Sequence, residues 1–233
     1  MFFADREVQV PTTTRSFFAA LLCLLSFGPA AAQTASNTPQ SPPKEAQGDK
    51  ASAASYWQLV ERAKGGDATV DFVQMRDAFA AWLCQEKKTD APNRDAMVAA
   101  FKAQDYAKAA ELAEAVLDYE FVNRGLHLAA EDAYRKSGNA AKADFHKDVA
   151  EKLLRALLGS GDGKSAETAY RVLSISEEYF IMRQQLGYKV SSQSLVMVKE
   201  RPYDVLSGTD PKTGKNVSLY FDIGSFFGGC DKK

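Results

Sequence analysis

The densest polar chemistry of the chain lies between Ser160 and Tyr179. It runs Ser160-Gly161-Asp162-Gly163-Lys164-Ser165, then Glu167-Thr168-Ala169-Tyr170, then Glu177-Glu178-Tyr179. Gly163-Lys164-Ser165 matches the end of a phosphate-binding loop, in which glycine amides cradle phosphate and the lysine neutralises it. The opening glycine of that motif falls at Leu158, and a helical pattern precedes the turn where a strand is required. The sequence therefore argues against nucleotide binding. Two readings of the turn remain. As a connector, Asp162 bonds nearby backbone amides and Ser165 caps the next element. As an anion or carboxylate site, exposed amides act together with Lys164, and Asp162, Gly163, Lys164 and Ser165 are the candidate ligand-binding residues.

Glu177 and Glu178 offer an acid pair, yet neighbours on a helix point about 100° apart and need not meet. Capping and the helix dipole account for two acids near a helix N-terminus without catalysis. His127 falls at a core position of a helical repeat and is expected to be packed and hydrogen bonded. His146, with Asp144 and Asp148 close by in the sequence, is a candidate base or metal ligand. Glu178 and His146 therefore join the ligand-binding candidates. The chain has no His-Glu-x-x-His, no metal-spaced cysteine pair and no Gly-x-Ser-x-Gly elbow, so no catalytic residue, metal site or cofactor is assigned. Cys84 and Cys230 remain once a leader carrying Cys23 is removed. They are expected to form one disulfide in an oxidising compartment, with two free thiols as the alternative.

Two kinds of element must position these residues. Tyr56, Leu59, Val60 and Ala63 make a short helical face, and Phe72, Met75, Phe79, Trp82 and Leu83 make a second stripe at helical spacing. An internal repeat comes next. Ala100-Phe101-Lys102, Asp105-Tyr106 and Lys108-Ala109 are echoed by Ala133-Tyr134-Arg135, Gly138-Asn139 and Lys142-Ala143, at offsets of 33 and 34 residues. That period, with small residues where paired helices touch, resembles the tetratricopeptide helix–turn–helix. Beyond the glycine-rich turn, Thr168 to Ile175 reads as a strand. Ser174 to Glu177 reads as a capping box opening a helix through Phe180, Met182 and Leu186, with Gly187 as its terminator. Gln193–Lys199, Tyr203–Leu206 and the alternation Val217, Leu219, Phe221, Ile223 complete a three-stranded meander. The predicted fold is α+β. About two tetratricopeptide-like helical hairpins over 56–158 pack on a small strand–helix–strand–strand–strand unit over 159–228, and 229–233 is a tail.

The C-terminal blocks carry a resemblance. Ser160 to Ser165, Glu167-Thr168-Ala169-Tyr170, Glu177-Glu178-Tyr179, Gln193-Ser194-Leu195 and Leu219-Tyr220-Phe221-Asp222 resemble the domain of unknown function 4919 family. The likeness covers Met97 to Ile223 and implies a short helical segment placed before this block. It implies an architecture and no activity.

Residues 1–32 read as a signal peptide. Arg15 precedes an apolar run from Ser16 to Phe27, and Ala30-Ala31-Ala32 supplies small residues for cleavage before Gln33. Residues 33–55 lack aromatics and are rich in Ala, Ser, Gln and Pro, the composition of a disordered tether. A net charge of −1 argues against a nucleic-acid partner. The run is shorter than the roughly 20 residues that span a bilayer, so no membrane insertion is expected after cleavage. These observations point to a periplasmic or secreted protein. Its expected role is a non-enzymatic binding or scaffold module for a protein or peptide partner in the cell envelope. The alternative is a hydrolase-like enzyme with an acid/His site at the junction of the layers, built from Asp162, Glu178 and His146.

Overall fold

In the computed structural model, residues 50–85 and 94–227 are described. The signal peptide and most of the tether segment fall outside them, and so does Cys230. The helical layer consists of α1 (Lys50–Lys64), α2 (Phe72–Gln85), α3 (Arg94–Lys102), α4 (Tyr106–Leu117), α5 (Arg124–Lys136) and α6 (Ala140–Leu158). Helix α1 begins inside the segment expected to be a tether, and its first described side chain, Tyr56, is fully buried.

The repeat predicted from sequence is reproduced bond for bond at its turns. After α3, the amide of Gln104 donates to Phe101 O and that of Asp105 to Ala100 O. After α5, Gly138 donates to Arg135 O and Asn139 to Tyr134 O, the same pattern displaced by 34 residues. This is the two-bond terminator that satisfies the last carbonyls of a helix. Asp105 and Asn139 then cap the next helices, accepting from Lys108 N at 3.1 Å and Lys142 N at 3.2 Å. The terminator needs a left-handed residue. Gly138 supplies it at φ +88°, and Gln104 is held there at φ 59° despite its Cβ.

Helix α6, at 19 residues, runs through all three cores. Ala143 packs with α3–α5. Val149, Leu153 and Ala156 pack with α1, α2, Phe121 and Val122. Leu157 enters the core under the sheet. The β unit contains β1 (Tyr170–Arg171), α7 (Ile175–Tyr179), a π-helical turn (Phe180–Gln185), β2 (Lys189–Val198), β3 (Arg201–Thr209) and β4 (Asn216–Asp222). Strands β2, β3 and β4 form the expected antiparallel meander, and β1 lies parallel to β4, giving the order β1-β4-β3-β2.

The observed β1 is much shorter than the predicted strand at Thr168–Ile175. The carbonyl of Thr168 is taken by the amides of Asp162 and Gly163, at 2.9 and 2.8 Å, and is lost to the ladder. The π-helical turn was also not predicted. Its adjacent residues Ile181 and Met182 are both fully buried in the core under the sheet.

Two polar ties join the layers. Arg76 of α2 donates to both oxygens of Glu177 on α7, at 2.7 and 2.9 Å, and to Arg171 O at 3.1 Å. Arg171 in turn reaches Asp77 at 3.1 Å.

Candidate functional site

Helix α7 is a single turn that presents two consecutive acids to opposite layers. Glu177 faces the helices, where the Arg76 fork neutralises it. One oxygen of Glu177 also accepts from Leu173 N at 2.8 Å. That bond is the return arm of the predicted capping box, received one residue earlier than expected. The Ser174 hydroxyl makes no cap and lies 2.7 Å from Ser176 Oγ.

Glu178 points the other way, under the sheet, and is fully buried. The side-chain amide of Gln193 on β2 lies over it, donating to Asp204 Oδ2 at 2.6 Å and reaching Glu178 Oε2 at 3.3 Å. Tyr179 OH holds that amide by donating to Gln193 Oε1 at 2.9 Å. Oε1 of Glu178 is buried with no hydrogen-bond partner. Burial first, and then the neighbouring Asp204, push the Glu178 carboxyl up to about 8. Asp204 stands opposite Leu195 in the β2–β3 register, and the next pair on that face is Met197 with Pro202. Leu195 and Met197 remain 49% and 59% exposed on the face that elsewhere covers the core. The arrangement is a buried acid able to exchange a proton near neutral pH, beside an open apolar strip.

His127 and His146 form a second cluster, inside the helical layer. Phe121 O can only accept, and His127 Nε2 lies 2.7 Å from it, so that nitrogen carries the proton. His127 Nδ1 then accepts from His146 Nδ1 at 3.0 Å, while His146 Nε2 faces Glu114 at 3.4 Å. Burial holds His127 down to about 3. Burial also pushes Glu114 up, but hydrogen bonds from His146, Tyr134 and Lys142 outweigh it and set its carboxyl at about 2. His127 is thus packed and bonded, as its repeat position implied. His146 turns inward, whereas Asp144 pairs with Arg135 and Asp148 with Lys152.

In the glycine-rich turn three amides are spent internally. Asp162 and Gly163 donate to Thr168 O, and Lys164 N donates to Asp162 Oδ1 at 3.1 Å. The Thr168 hydroxyl, then Lys164, hold the Asp162 carboxyl well below the usual range. Lys164 Nζ pairs with Asp162 at 2.9 Å, and Ser165 Oγ lies 3.4 Å from the Thr168 hydroxyl. A Cβ on Gly161 would sit 2.4 Å from Thr168 O and 2.5 Å from Ala169 O, so the close approach of the two backbones requires glycine there.

Asp162, Glu178 and His146 are not hydrogen bonded to one another, and each has its own partners. Among the described residues no three His, Cys, Asp or Glu side chains are grouped to hold a metal ion. The expected Cys84–Cys230 disulfide is corrected: the structure contains no disulfide among the described residues. Counting thiols says nothing of distance, and a bridge needs Cα atoms within about 7 Å. Sequence reasoning also missed Asp204, Gln193 and Glu114. The first two meet Glu178 only through strand register, which no local pattern encodes.

Neither a curated protein nor a solved structure matches the chain. One family model, described as Domain of unknown function (DUF4919), matches residues 44–228. The match begins well before Met97, so helices α1 and α2 belong to the same unit as the C-terminal blocks. With its helical hairpins, its β1–α7–meander unit and most of its length inside that match, the chain belongs to the DUF4919 family.

Proposed function

We propose that the protein is an exported, hydrolase-like enzyme that cleaves amide bonds in extended peptide segments. Its acid site is the Glu178–Asp204 pair, where α7 meets the sheet. The observation that supports this reading is the buried Glu178 carboxyl, raised to about 8 beside Asp204, with one oxygen bonded to nothing. A structural acid on a helix is capped or paired, as Glu177 is. Two carboxyls that take hydrogen bonds from one amide nitrogen, one of them holding a proton, suit activation of a water for acyl chemistry. In that step water adds to the amide carbon and gives its proton to Asp204. The C–N bond then breaks, and the leaving nitrogen takes the proton of Glu178.

The partner is a peptide. Strand β2 is an edge of the sheet, so an extended chain can add to it and lay apolar side chains over Leu195 and Met197. Incubation with unfolded casein at pH 5 to 8, followed by mass spectrometry of the fragments, tests the reading. Cleavage lost at least a hundredfold in both Glu178→Gln and Asp204→Asn, and kept in His146→Phe, is the expected result. No fragments, or fragments still formed by Glu178→Gln, overturns it. Peptide that is retained but returned uncut favours instead the non-enzymatic scaffold reading, which rests on the paired helices.

Export rests on residues 1–32. None of the described helices is long and apolar enough to cross a membrane. Terminal sequencing of protein from the cell envelope should find Gln33 first. Recovery of chains retaining Met1 in the cytoplasm would refute export.

A further inference from the structure

A cavity of about 350 Å3 opens between the α4–α5 loop, the start of α5 and the π-helical turn. Val122, Leu128, Leu157, Leu173 and Phe180 give it a largely apolar wall. Three charged side chains also line it, and two of them are already neutralised. Glu120 pairs with Arg94 and accepts from Asn123 Nδ2 at 2.9 Å, and Glu177 is held by the Arg76 fork.

Arg124 has no acidic partner among the described residues. Its guanidinium lies over the Phe180 ring at 4.6 Å, which fixes its plane. Its Nε is buried and bonded to nothing. A buried donor left without an acceptor costs about 1–3 kcal/mol, so this guanidinium has an unmet hydrogen-bonding demand. Arg124 also opens α5, where the first-turn amides add positive potential.

We propose that this cavity binds a small carboxylate with an apolar body, the carboxylate held by the guanidinium of Arg124. One uncompensated positive charge matches one negative charge. A dianionic phosphate would leave its second charge unpaired beside Glu120 and Glu177. Glu178 and Asp204 do not line the cavity, so the site stands or falls apart from the proposed acid chemistry.

Titration calorimetry with the full chain tests it, using 1-naphthoate for a free acid and acetyl-Gly-Gly-Phe for the end of a peptide. Each neutral amide serves as control. Binding of either acid, weakened at least tenfold in Arg124→Met and in the amide, supports the site, and the acid that binds names the source. Gly125→Phe should also abolish binding while keeping Arg124. A Cβ there meets only Asn123 Oδ1, at 3.4 Å, so a side chain can start from Gly125 toward the mouth of the cavity, and the test holds even if Arg124→Met does not fold. Binding of neither acid, equal binding of the amides, unchanged affinity in Gly125→Phe, or equal competition by inorganic phosphate overturns the proposal.

Discussion

With its carboxyl raised from the ordinary 4.5 to about 8, Glu178 keeps a proton in the folded protein where the unfolded chain has released it. Its contribution to stability is complete below about pH 4.5 and falls as pH rises toward 8, by at most about 1.4 kcal/mol per pH unit. His127 and Glu114 have the opposite sign. His127 loses its share as pH falls from 6.5 toward 3, and Glu114 as pH falls from 4.5 toward 2. Replacing Glu178 with Gln should therefore raise the urea midpoint at pH 8.5 and leave it little changed at pH 4.5. Equal midpoints for wild type and variant at pH 8.5 would show that the buried proton is not there. At this scale the sequence was legible where a residue's neighbours are local. The position of His127 in the repeat foretold its burial, and the 100° between Glu177 and Glu178 foretold their divergence. Asp204 was not legible as the partner of Glu178, because 26 residues and a strand register separate them.

Among the elements, the two repeat turns make a matched pair that differs in one side chain. Gly138 and Gln104 occupy equivalent left-handed positions, and only glycine does so without steric cost. Gly138→Ala should destabilise by about 1–2 kcal/mol. Gln104→Gly should be neutral or stabilising by up to about 1 kcal/mol, since the relief of strain is partly offset by the flexibility of glycine in the unfolded chain. Chemical denaturation of both variants checks the pair; equal destabilisation would mean the turns are not equivalent. The tie between α2 and α7 allows a second test. Arg76→Met alone leaves Glu177 nearly buried and unpaired, for a loss of about 3–5 kcal/mol, whereas Arg76→Met with Glu177→Leu should recover most of it. A double variant no more stable than the single one would show that the pair itself holds the layers. Hairpins and meander were readable because helical and strand periodicities are local signals. The π-helical turn and the shortened β1 were not, because core demand and the claim of the glycine-rich loop on Thr168 O override local pattern.

Across the whole molecule, α6 and the Arg76–Glu177 pair make the helices and the sheet depend on each other. Leu157 at the end of α6 belongs to the core under the sheet, while Leu153 one turn earlier belongs to the core of α1 and α2. Unfolding should be a single transition, with the fluorescence of Trp57 and Trp82 and the far-ultraviolet dichroism changing at the same denaturant concentration. Separated transitions would show that the layers are independent. The parallel pairing of β1 with β4 also sets a schedule for the newborn chain. Tyr170 pairs with Phe221, 51 residues further on. At a synthesis rate of about 5–20 residues per second, β1 waits on the order of seconds for its partner to be made. During that interval Tyr170 and the inner face of β1 have no strand to lie against. The second layer is therefore assembled after the ribosome has made its last strand, and a chain intercepted before then is still pliant enough to be threaded or held by a chaperone.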